Sequence, residues 1–145
     1  MENIPSKMAQ EIAQAAREFE QQRTGHAPQS VTVVMSGDTL VITMHGSLSA
    51  GEKALAQSPA GAAQVQEFHR QLFLTSYAEL RQKIKAITGV EVREAKADIE
   101  TSTGAVVQVF RTGTMVQVYL MSGKLPTESW SGHGPENAMW QPGVA

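Results

Sequence analysis

Apolar positions near the start of the chain recur at helical period. Met8, Ile12, Ala15 and Phe19 form one stripe, which predicts a helix over residues 5–23. Pro5 and Ser6 suit its first turn, and Thr24-Gly25 followed by Pro28 supplies a stop. Glu11, Glu18 and Glu20 share the remaining face with Arg17 and Arg23 and are expected in solvent. The period then drops to two. In SVTVVMSGDTLVITMHG, residues 30–46, Gly37-Asp38 reads as a two-residue hairpin turn. Such a turn pairs Met35 with Leu40, Val33 with Ile42 and Val31 with Met44. All six then share one face, leaving Thr32, Val34, Val41, Thr43 and His45 on the other.

Helical signals return at Ser49-Ala50-Gly51-Glu52, a capping box opening a short helix to about Gln57. Ser58-Pro59 then reads as an N-cap with proline at the first helical position. The stripe Val65, Phe68, Leu72, Phe73, Ser76/Tyr77, Leu80, Ile84 and Ile87 carries this helix to Thr88-Gly89. Its length at 1.5 Å per residue is roughly 40 Å. His69 borders the stripe and is read as a boundary residue. Beyond it, VEVREAKADIE and AVVQVF read as two strands joined through Gly104, and Met115 to Met121 as a further strand. The succession is α-β-β, then α-α-β-β(-β): a pseudo-repeat in which a helix ending in Thr-Gly precedes a hairpin. It predicts an α+β fold, a two-layer sandwich of helices on an antiparallel sheet. One domain is assigned to residues 1–121. Residues 122–145 hold both tryptophans, Trp130 and Trp140, with prolines and glycines, and read as a flexible tail. The tryptophans are expected to lie back on the domain or a second copy, or to serve as a docking motif.

Composition narrows the chemistry. A chain of 145 residues with 41% hydrophobic residues can bury a core without staples. The absence of cysteine excludes disulfides, thiol nucleophiles and Cys-based zinc sites. A formal charge of −2 argues against a dedicated nucleic-acid binder. The cluster Arg81, Lys83, Lys85 near a helix C-terminus is accounted for by the helix dipole. No apolar run approaches the roughly 20 residues that a membrane-spanning helix needs, and no signal peptide is visible, so a cytoplasmic location is expected.

The histidines, His26, His45, His69 and His133, show no metal-ligand spacing, and no nucleophile elbow is present. Glu52 is accounted for by capping and Asp38 by the turn. Asp98 and Glu100 alternate on one strand face with Lys96, a cross-charge pattern. No catalytic residue, cofactor or metal is therefore assigned. His26, His45, Trp130 and Trp140 remain as interaction candidates.

These segments together resemble the small bacterial DUF2294 family, also called MpsC-like. The resemblance is carried by Phe19-Glu20, Gly25-His26-Ala27-Pro28, the first hairpin, Gly46-Ser47-Leu48-Ser49 with Glu52-Lys53 and Leu55-Ala56, Thr88-Gly89-Val90, and Asp98-Ile99 through Gly104 to Val107 and Phe110. It spans about residues 8 to 112. His26-Ala27 stands where the family usually has a basic residue and then glycine. The resemblance implies association with a membrane cation- and bicarbonate-linked uptake system. The expected function is a non-enzymatic cytosolic accessory or regulatory protein, working through protein contacts and as a homodimer. The alternatives are a small-molecule or anion-binding regulatory module, or an enzyme. An enzyme would show a deep pocket joining two or more of His26, His45, Asp98 and Glu100.

Overall fold

The computed structural model describes residues 4–99, 114–133 and 141–142. In chain order these form α1 (Ile4–Thr24), β1 (Ser30–His45), α2 (Ala50–Leu55), α3 (Pro59–Thr88), β2 (Val92–Ile99), β3 (Met115–His133) and β4 (Gln141–Pro142). The strands make one antiparallel sheet in the order β1-β3-β2, with the short β4 also paired to β3. Helix α1 lies on β1 and β3, and α3 packs against α1 and β2. The fold is α+β, with helices covering one face of the sheet.

Local signals set the helix ends. Ser49 caps α2 through a reciprocal capping box with Glu52. Ser58 caps α3, Pro59 occupies its first turn, and Gly89 closes it in the left-handed region at φ 77°. With 30 residues, α3 is about 45 Å long.

β1 departs from the expected hairpin. It runs as one strand, pairing through Ser30–Met35 with Glu128–His133 and through Thr39–Met44 with Met115–Leu120. The register breaks on both sides of Gly37, whose φ is +60°. Val31, Val33, Met35, Leu40, Ile42 and Met44 are nevertheless all fully buried on one face. In an unbroken strand Met35 and Leu40 would point to opposite faces. The irregularity at residues 36–39 restores a common face, as a turn would have done. The same sequence pattern therefore serves both geometries, and β3 takes the place of the self-pairing half. The first unit of the supposed repeat is accordingly α-β rather than α-β-β. The second hairpin, through Gly104, lies outside the described residues.

The boundary at Ser122 also moves. β3 continues past it to His133, with Leu125 and Trp130 buried in the core and Trp130 opposite Val33. β2 reaches only to Met121, so among the described residues this second half of β3 has β1 along one side and, on the other, only the short β4 at Gly132 and His133. A proline at 126 is tolerated because a strand edge asks for no backbone donor on that side. In residues 122–133 the proline and glycine content thus marked an edge segment of the sheet. Trp140 lies outside the described residues.

Candidate functional site

Three helices meet around a buried imidazole. On α1 the small side chains Ala9, Ala13 and Ala16 bring the helix close to the sheet, and Glu20 continues that row at helical spacing. Glu20 is therefore 8% exposed rather than solvated. On α3 the buried row is Val65, His69, Ser76, Leu80 and Ile84. His69 takes the inward place that the stripe had given to Phe68, which is 48% exposed. From α2 comes Glu52, fixed by its own capping box: Oε1 accepts from the Ser49 N–H at 2.9 Å and from Ser49 Oγ at 3.1 Å.

The other oxygen of Glu52, Oε2, accepts from His69 Nε2 at 2.8 Å. That contact assigns the N–H of the ring to Nε2, since a carboxylate oxygen only accepts. Nδ1 then faces Glu20 Oε2 at 3.6 Å, beyond hydrogen-bond reach. Both of these atoms are buried without a hydrogen-bond partner. Burial, and secondarily the negative charge of Glu52, pushes the Glu20 carboxyl up to about 7. Burial pushes Glu52 the same way, but hydrogen bonds from the Ser49 backbone and from His69 outweigh it and hold that carboxyl below its ordinary value.

Beside Glu20 and His69 lies a cavity of about 20 Å³, walled by Phe19, Phe73, Ser76 and Gln117. It has room for a water molecule, which needs at least ~10–15 Å³. Its floor on β3 is polar but satisfied: buried Tyr119 donates to Gln117 Oε1 at 2.8 Å, and Gln117 Nε2 donates to Met115 Sδ at 3.6 Å. At the rim, Arg23 of α1 is ion-paired with Glu79 of α3. The Ser76 hydroxyl donates to the Leu72 carbonyl.

The two nitrogens of His69 point to opposite carboxylates, so the three side chains do not converge on a common point. Among the described residues no group of three or more His, Asp or Glu side chains is arranged to hold a metal ion.

The histidines singled out from sequence lie elsewhere. His26 Nε2 contacts the Gly46 carbonyl at 2.9 Å, tying the α1–β1 loop to the end of β1. His45 Nδ1 contacts Thr114 Oγ1 at 3.2 Å. Both are half-buried and have different partners. The Asp98 side chain and all of Glu100 lie outside the described residues. Trp130 is buried within its own chain at 7% exposure. The cluster that the structure does assemble, Glu20–His69–Glu52, comes from residues read as solvent-facing, boundary and capping. The clue to Glu20 was its place on the Ala9–Ala13–Ala16 row.

The molecule is thus a small α+β protein with a helical layer on an antiparallel sheet and a carboxylate–imidazole–carboxylate cluster inside that layer. The family model described as "Na+-translocating membrane potential-generating system (MpsC)" matches residues 5–113, and the chain belongs to this MpsC family. The matched stretch contains α1 through β2 and all three members of the cluster. The chain is similar to the uncharacterized protein YbcI of Bacillus subtilis (strain 168), 23% identical over 111 residues that cover 77% of this chain and 90% of the relative. No solved structure matches the chain significantly.

Proposed function

We propose that this chain is an accessory or regulatory protein of a Na+-translocating membrane system, acting at the cytoplasmic side through protein contacts and without catalysis of its own. The observation that carries the reading is membership of the MpsC family across residues 5–113. No helix among the described residues is long and apolar enough to cross a membrane. In this reading the ion path belongs to other proteins, and this chain binds them.

The solvent side of the α1–α3 pair offers a contact surface. An open groove of about 440 Å³ runs between the helices, lined by Glu18, Phe19 and Gln22 of α1 and by Glu79, Gln82 and Lys83 of α3. A second copy or a membrane-system subunit would lay a helix there.

The test is recovery of partners from detergent-solubilised membranes with the full chain as bait. A Na+-transport component is expected with the natural sequence and is expected to be lost with a Gln22→Arg, Gln82→Arg variant. Both positions are exposed, so folding stability should change by no more than about 0.5 kcal/mol each. Recovery of no transport component would overturn the proposal. Light scattering addresses the homodimer separately, with twice the 15.6 kDa chain mass expected.

A further inference from the structure

We propose that Glu20, His69 and Glu52 form a proton-dependent latch that holds α1 and α2 against α3, engaged when Glu20 carries a proton and released when it does not. The inference stands apart from any membrane partner. It rests on the geometry of three side chains from three helices.

The latch can be followed atom by atom. Glu52 is anchored to the start of α2 by Ser49, and its free oxygen accepts the Nε2 proton of His69. In the neutral ring, with that proton placed, Nδ1 presents a lone pair toward Glu20. Glu20 Oε2 stands 3.6 Å away, and neither atom has another hydrogen-bond partner. A protonated carboxyl closes this gap by donating to Nδ1, directly or through one water in the adjoining cavity. An unbroken run of donors and acceptors then links α1 to α3 to α2.

When the Glu20–His69 pair gives up that proton to bulk water, leaving the ring neutral, two acceptors face each other in a buried site. A second carboxylate lies beyond the ring. A buried charge of this kind is relieved most directly by moving it to solvent. Glu20 lies in the last two turns of α1, so its exit lifts the end of that helix from α3. His69 loses one of its two tethers, and the short α2, which buries none of its own residues, loses support.

The groups surrounding Glu20 favour this response. From α3 come His69 and Glu79, the latter already paired with Arg23 of α1 at the cavity rim. From α2 comes the like charge of Glu52. From β3 come Gln117 and, behind it, the Tyr119 phenol, which burial pushes well above its ordinary range and which stays neutral. No cavity-lining residue comes from β1.

The test is amide hydrogen exchange of the full chain at pH 5.5 and 7.5, corrected for intrinsic rates, on the natural sequence and Glu20→Gln. A carboxyl titrating near 7 when latched and near its ordinary value when open makes the opening equilibrium rise about twentyfold over this interval. That rise is expected in the second half of α1 and in α2. Glu20→Gln, whose amide still donates to Nδ1, is expected to show none of it. The same pH response in both proteins, or none in either, would overturn the latch. If the variant does not fold, carbon-13 titration of the Glu20 carboxyl in the natural protein decides. A midpoint near 7 supports the latch, and one in the ordinary carboxylate range overturns it.

Discussion

At the scale of single residues, the Glu20 carboxyl is pushed up toward neutral pH, and the sign of its effect on stability follows from its surroundings. Its value is raised from 4.5 to about 7, chiefly by burial. Between those values the folded chain holds a proton that the unfolded chain has released, so stability falls as pH rises. The contribution is fully present below about pH 4.5 and lost as pH passes through about 7, a difference of roughly 3 kcal/mol. Glu52 has the opposite sign. Its lowered value gives stability that is present above the ordinary carboxylate range and lost as pH falls through the folded value. Maximal stability is therefore expected in mildly acidic solution. Urea titrations between pH 5 and 8.5 check this: the midpoint should fall across the range in the natural protein and stay nearly level in Glu20→Gln.

At the scale of elements, helix ends were legible in the sequence because their causes are local. Ser49 with Glu52, Ser58 with Pro59, and Gly89 each act on backbone groups within four residues. Ser49→Ala should cost about 1 kcal/mol by removing one half of the capping box, read as a shift in the urea midpoint. The partner of β1 was not legible. A phase jump between Met35 and Leu40 is the signature of a turn and of an irregular strand alike, and only the distant residues 115–133 decide between them. Glu20 was not legible as a buried residue because the larger apolar residues define one helical stripe, whereas the close-packed row runs through Ala9, Ala13 and Ala16.

The α2–α3 junction carries a further prediction. A side chain on Gly61 would place its Cβ 1.8 Å from the Leu55 carbonyl oxygen, a backbone atom that cannot rotate away. Gly61→Ala should therefore destabilise by about 2–3 kcal/mol despite alanine's better helix propensity. The clash would also push α2, and Glu52 with it, away from His69. Calorimetry would register the lower transition temperature.

At the scale of the whole molecule, the stretch from Ser122 to His133 is a structural half-strand rather than an appendage. It supplies Leu125 and Trp130 to the core and pairs with the first half of β1. A chain ending at Ser122 would uncover Val31, Val33 and Met35 together. The loss is comparable to a typical domain stability of 5–15 kcal/mol, so no cooperative unfolding transition is expected for the truncated chain. A sharp transition in circular dichroism would contradict this. The opposite sheet face, where Val41 lies beside Val118 and Thr43 beside Val116, remains half-buried without a helix over it among the described residues.

The strand order has a consequence for how the chain reaches its fold. β3 sits between β1 and β2 although both precede it in the sequence. While the chain emerges from the ribosome, β1 meets none of its described partner strand until residues 115–133 appear. The helical layer can assemble early, but β1 joins the sheet only by contacts that reach across much of the sequence, from Met44 with Met115 to Ser30 with His133. Such non-local closure is slow, on the order of milliseconds to seconds, compared with helix packing. During that interval the apolar face of β1 is open to misassembly, which makes its synthesis-time protection a matter for chaperones.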